Sequence, residues 1–233
     1  MGHLCQGILV LMVLTSCVGE MAGRGNLRQS PLAIEKGKDS FVESPQASTP
    51  SGSLPSLSAV QSALVNAAQS NLGQERLLID GKSFALDCSG VTSAFYWDVG
   101  INLAEAYPGR EGSGVDRLHQ YLAEKGLLYK PDEPVPGDLI FWDDTYDKNG
   151  NGLVDDELTH IGMVVDVDEE GIVTYVHHDY IHGIVTARMY PPNPSDRSRN
   201  SPMRMASLGP TPDGRFTSGD LYRDAGRAWE LAQ

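Results

Sequence analysis

The stretch Leu86-Asp87-Cys88-Ser89-Gly90-Val91-Thr92-Ser93-Ala94-Phe95-Tyr96-Trp97 sets a cysteine at the start of a predicted helix. Asp87 and Ser89 are helix-capping residue types, and Val91, Ala94 and Phe95 follow at the i, i+3, i+4 spacing of one apolar face. Cys88 is therefore expected in the cap or first turn. There the unpaired N–H groups and the positive end of the helix dipole favour a thiolate, lowering a pKa that starts near ~8.5. A lone cysteine is more often a small buried hydrophobe. A packing cysteine, however, has no need of Asp, Ser and Gly beside it, whereas a nucleophile needs polar neighbours and a closely approaching backbone.

Upstream of this stretch, residues 57–72 are Ala-rich with Val60, Leu64, Ala67 and Ala68 in helical spacing, and an Asn-Leu-Gly stop follows. The apolar run Leu77-Leu78-Ile79 then meets the turn signal Asp80-Gly81. Downstream, residues 118–128 predict another helix with Leu118, Tyr121, Leu122 and Leu128 as its stripe. Strands are expected over 139–142, 160–167, 172–178 and 183–189, with Asp168-Glu169-Glu170-Gly171 as a hairpin turn. The Pro-, Ser- and Arg-rich residues 191–212 read as loop, and 219–231 as a closing helix. Helices followed by antiparallel strands form an α+β pattern.

The chain has 233 residues, 40% of them hydrophobic, enough for one domain with a real core. Its net charge of -13 would repel a phosphate backbone, so no nucleic-acid partner is expected. Of its three cysteines, Cys5 and Cys17 lie near the N-terminus, leaving Cys88 alone in the body. The apolar run at residues 8–14 suits the core of an export signal and is too short to span a bilayer. It closes in Leu14-Thr15-Ser16-Cys17, which resembles the lipobox of bacterial lipoproteins, although Met1-Gly2-His3 carries no Lys or Arg. On that reading residues 1–16 are a signal peptide and Cys17 is lipidated. Residues 17–56, rich in Ser, Pro, Gly and Gln, tether a domain at 57–233 to the periplasmic face of the outer membrane. A soluble secreted protein cut near the same place is the alternative.

Asp87-Cys88-Ser89-Gly90 on a helix, then Pro136-Gly137-Asp138-Leu139-Ile140-Phe141, then His160-Ile161-Gly162-Met163-Val164 on a strand resemble, in type and order, the NlpC/p60 cysteine peptidases. The resemblance covers roughly residues 59–189. It implies a papain-like α+β fold with N-terminal helices packed on an antiparallel sheet. It also implies a peptidase of bacterial cell-wall stem peptides, most often at the bond between D-glutamate and diaminopimelate, needing no cofactor for catalysis. Cys88 matches the nucleophile, His160 the base and His177 the orienting residue, while Asp87 and Ser89 match the pair that holds a substrate amine. The chemistry asks for the same types: a thiolate attacks, an imidazolium gives its proton to the leaving amine, and a polar group on the other ring nitrogen holds the tautomer. Gly162 reads as a small residue that lets a helix approach the sheet.

Strand parity separates His177 from His178. If residues 168–171 form the whole hairpin loop, Val167 pairs with Ile172 and Gly162 with His177, which puts His160 and His177 on one face. One feature departs from the family. Its members usually carry a Tyr and a Trp-Gly-Gly segment before the cysteine, where this chain has Gln74-Glu75-Arg76-Leu77-Leu78-Ile79. Losing an oxyanion donor typically costs ~10²–10³ in rate. A CHAP-type amidase and a non-catalytic wall-binding lipoprotein are the alternatives.

Between the strand at Trp142 and His160 lies D-x-N-x-N-G-x-x-D, with Asp147, Asn149, Asn151, the Leu153 carbonyl and Asp155 at positions 1, 3, 5, 7 and 9 of an EF-hand-like loop. Position 12 is Leu158 and not a bidentate glutamate. A weak structural calcium site with Kd ~10⁻⁴–10⁻³ M is expected, with a solvated acidic turn as the plain alternative.

Overall fold

The computed structural model describes residues 56–232. The expected signal segment 1–16, the expected lipid site Cys17 and the expected tether up to residue 55 lie outside the described residues, within which no helix is long and apolar enough to cross a membrane.

Helix α1 (Ala59–Ser70) starts at Ser58, whose hydroxyl and the Gln61 side chain cap each other's backbone N–H groups. It buries Leu64, Ala67 and Ala68. Strands β1 (Leu77–Ile79) and β2 (Lys82–Phe84) pair across Asp80 and Gly81, whose φ values of 50° and 77° belong to a tight hairpin turn. Helix α2 (Cys88–Asp98) follows, then a 3₁₀ turn at Leu103–Ala106 and α3 (Gly114–Glu124), capped by Ser113 and Asp116. The expected helix over 118–128 thus begins earlier and stops earlier. Gly126, at φ 69°, ends it, and Leu128–Tyr129 turns into β3.

Five antiparallel pairings join six strands into the main sheet, in the order β3-β8-β4-β5-β6-β7, with β4 Leu139–Trp142, β5 His160–Val167, β6 Val173–Asp179, β7 Gly183–Met189 and β8 Tyr222–Gly226. The α+β class, with N-terminal helices on an antiparallel sheet, is what the chain adopts. Residues 219–231 are not a closing helix: they hold β8 and a 3₁₀ turn at Ala228–Ala232. A slot between β3 and β4 overrides their local preference. Gly226 fits it because a Cβ there would stand 2.6 Å from Leu122 Cδ1, so the bare backbone lets Leu122 of α3 pack on the strand without shifting.

Alternation sorts the sheet into two buried faces. Leu139, Phe141, Ile161, Met163, Val165 and Val176 pack under the three helices with Leu64, Val91, Phe95 and Leu118. Ile140, Trp142, Val164, Val173, Tyr175 and Met189 pack on the opposite side with Leu221 and Tyr222. That second face is closed by the irregular excursion between β7 and β8, to which Trp142 Nε1 donates at the Ser218 carbonyl, 2.8 Å away.

The β5–β6 register corrects one expectation and keeps another. Val167 pairs with Val173, not Ile172, because the loop runs one residue longer, with Asp168 N donating to the Ile172 carbonyl. A bulge between Val164 and Asp166 absorbs the extra residue, so Val164 pairs with Tyr175 and Met163 with Val176. Continued toward the strand end, this register sets Gly162 beside His177. A Cβ on Gly162 would lie 3.0 Å from the Val176 carbonyl oxygen, 3.3 Å from His177 Cβ and 3.3 Å from the Trp142 ring. The glycine therefore makes room for Trp142 and His177, not for a helix.

Candidate active site

Asp87 is the N-cap of α2, and its carboxylate accepts from Gly90 N at 2.7 Å and from the Ser89 hydroxyl at 2.9 Å. Gly90 is required here, since a Cβ would sit 2.3 Å from the Ala85 carbonyl oxygen. Cys88 is consequently the first residue of the helix, half-buried against the helix-side core. The main-chain N–H groups of Ile161 and Ser89 favour its thiolate. These donors oppose a larger effect: burial, helped by the Asp87 charge, pushes the Cys88 thiol up to about 11. The thiolate expected from the helix start is therefore corrected to a neutral thiol. Desolvation of the anion outweighs the N–H groups of a single helix end.

His160 opens β5 and pairs with Trp142, the ring centroids 5.8 Å apart. Its Nε2 lies 2.8 Å from His177 Nδ1, and the two rings meet edge to face at 5.1 Å. Tyr175 closes on His177 from the same face, centroids 5.3 Å apart. One of the facing nitrogens donates to the other, which fixes the tautomers of the two rings relative to each other. Burial, reinforced by the neighbouring histidines, lowers His160 to about 3. Burial also lowers His177 to about 4, although Asp179 pulls the other way. Both rings are neutral. His160 Nδ1 makes no hydrogen bond among the described residues, and none joins Cys88 to His160. Cys88 packs against the helix-side core layer that holds Ile161, the residue that follows His160. His178, on the opposite parity of β6, pairs with Ile184.

The segment where a tyrosine was looked for forms a turn and β1. Tyr146 lies on the segment that leads to His160, and burial raises its phenol. Thr145 beside it is bonded through N and Oγ1 to Thr159 Oγ1 at 2.9 and 2.8 Å, directly before His160.

The loop from Asp147 to Asp155 is folded on itself. Asp147 accepts from Gly150 N and Gly152 N at 2.7 and 2.9 Å, Asn149 and Asn151 oxygens accept from Asn151 N and Leu153 N, and both asparagine amides donate to Asp155. Lys148 ties the loop to Asp116 of α3 at 2.8 Å. Among the described residues no three His, Cys, Asp or Glu side chains converge as a metal cluster. The donors expected for calcium are two carboxylates, two amides and a carbonyl.

No family model matches this chain, and no curated protein does. Among solved structures it is similar to an NlpC/P60 family protein from Bacillus cereus, with 20% identity over 72% of this chain and a TM-score of 0.38. The match spans 40% of that protein. At this identity and overlap the likeness carries no argument about the site, whose reading rests on the residues themselves.

Proposed function

We propose that residues 57–233 form a papain-like thiol hydrolase of the NlpC/p60 kind that cuts an amide bond in peptidoglycan stem peptides. The single observation behind this reading is the 2.8 Å contact of His160 Nε2 with His177 Nδ1, which leaves Nδ1 of His160 unengaged, while Cys88 packs in the layer of the neighbouring Ile161. With thiol and imidazole both neutral, attack is coupled to proton transfer. As the sulfur bonds to the scissile carbonyl carbon, its proton passes to His160 Nδ1, which must come within hydrogen-bond reach of the sulfur. The bond to His177 holds the ring and steadies the imidazolium. His160 then gives that proton to the leaving amine as the C–N bond breaks. Water, deprotonated by His160, hydrolyses the thioester and restores the thiol. Asp87 and Ser89 sit beside the nucleophile as candidates to hold a substrate amine.

Export, lipidation at Cys17 and placement at the outer membrane belong to the same proposal, as does a weak calcium ion held by Asp147, Asn149, Asn151, Leu153 and Asp155. The test is release of peptides from purified peptidoglycan by the full chain, with products identified by mass spectrometry. Cys88→Ala is expected to abolish release, and activity that survives the substitution sinks the reading. A non-catalytic wall-binding protein is the second reading, favoured by the raised Cys88 thiol and the lack of a bond between Cys88 and His160. A CHAP-type amidase would differ only in the products.

A further inference from the structure

A cavity of about 250 Å³ runs along the side of α2, beginning at Asp87 and Ser89 beside the nucleophile. Ser89, Ser93 and Trp97, spaced four residues apart on one helix face, form its floor. That floor is about 12 Å long at ~1.5 Å per helical residue, room for three to four extended peptide residues. Lys82 of β2 reaches over its far end. The Lys82 Nζ rests 3.6 Å from the centroid of Trp97 and 4.9 Å from that of Phe84. It makes no ion pair among the described residues, in a protein whose net charge is -13. Asn102 faces the same cavity; its Oδ1 caps Ala104 N, while its Nδ2 donates no hydrogen bond among the described residues.

An ammonium held by aromatic faces, with no carboxylate partner in a strongly acidic protein, and an amide donor lining the same cavity suit an anion. We propose that this groove is a substrate subsite in which Lys82 and Asn102 take a carboxylate of a peptide lying along α2, away from the cleaved bond. The inference rests on the peptidase reading for the identity of that peptide, but not for the binding itself. Lys82 is thus a specificity-determining residue that favours free acids over amidated peptides.

The test uses the full chain carrying Cys88→Ala, which cannot turn substrate over. The probes are the stem tetrapeptide L-alanyl-γ-D-glutamyl-diaminopimelyl-D-alanine and the same peptide with its carboxylates converted to carboxamides, titrated by calorimetry. The acid is expected to bind about tenfold more tightly, the scale of one charge-assisted hydrogen bond. Adding Lys82→Met, which keeps the apolar stem on Trp97, should bring the ratio to about one, and Lys82→Arg should keep the preference. Should Lys82→Met fail to fold, Asn102→Asp, which preserves the cap and adds a charge to the cavity wall, is expected to remove the preference instead. Equal binding of acid and amide, no binding of either, or a preference that survives these changes overturns the subsite. Preferential binding by a protein that releases nothing from peptidoglycan keeps the subsite and removes the peptidase reading; release without preference does the reverse.

Discussion

One face of the sheet lies under α1, α2 and α3, the other under the irregular excursion between β7 and β8, and the candidate site draws on both. Cys88 lies on the helix side, packed against the layer that holds Val91, Phe95 and Ile161. His160 and His177 lie on the other side with Trp142 and Tyr175. Each face buries its contribution, and burial has opposite effects on acids and bases: the thiol is pushed up to about 11, the imidazoles down to about 3 and 4. The lesson is that this pair rests as neutral groups because each is embedded in its own apolar layer, so any charge separation must accompany bond formation.

The sharpest way to break this division is to alter neighbouring histidines on opposite faces. His177→Ala removes the group bonded to His160 and is expected to cut peptide release by ~10²–10⁴, whereas His178→Ala, on the helix side, leaves the rate little changed. The reverse result would mean that the bulge at Val165 does not restore the register. Alkylation reads the thiol directly. With its pKa about 11 against an ordinary 9.0, Cys88 should react with iodoacetamide at pH 7 about a hundredfold more slowly than a free thiol peptide. A faster reaction would reinstate the thiolate.

Gly162→Ala tests the packing of the histidine face. Its new methyl meets Trp142, His177 and a carbonyl oxygen, and should cost ~1–3 kcal/mol in denaturant unfolding. A neutral outcome would show that this face is loosely packed.

Acid titration probes the same layer. His160 and His177 stay neutral when folded down to about 3 and 4, yet protonate near 6.5 when unfolded. The unfolded state therefore binds more protons below that value. Their contribution is fully present above pH 6.5 and is lost as pH falls toward 4, and His177→Ala should make that decline shallower. An unchanged slope would locate the acid sensitivity elsewhere.

The smallest effect concerns the exposed loop, which stands outside both layers. If Asp147 to Asp155 bind calcium with Kd near ~10⁻⁴ M, 1 mM of the ion stabilises by ~1 kcal/mol, a rise in Tm of about 2–4 °C. Asp147→Ala should abolish the shift; an equal shift in the variant returns the loop to a solvated acidic turn.

What the amino-acid order determined by itself were features set by local chemistry. The Asp87 cap placed Cys88 at the first turn of α2, the alternating run from His160 to Val167 gave β5 its bounds, and Asp80-Gly81 gave the hairpin turn. Side-chain parity named His177, but only the bulge at Val165 kept that pairing against the longer loop. Tertiary structure decided what depends on distant partners. Residues 222–226 became a strand because a place between β3 and β4 accepts it, and Val167 took Val173 as partner because a bulge two residues away compensates a longer loop. The thiol's protonation was decided in the same way: a helix start acts through a few N–H groups that local sequence announces, whereas desolvation is the sum of everything packed around the sulfur, which exists only in the folded chain.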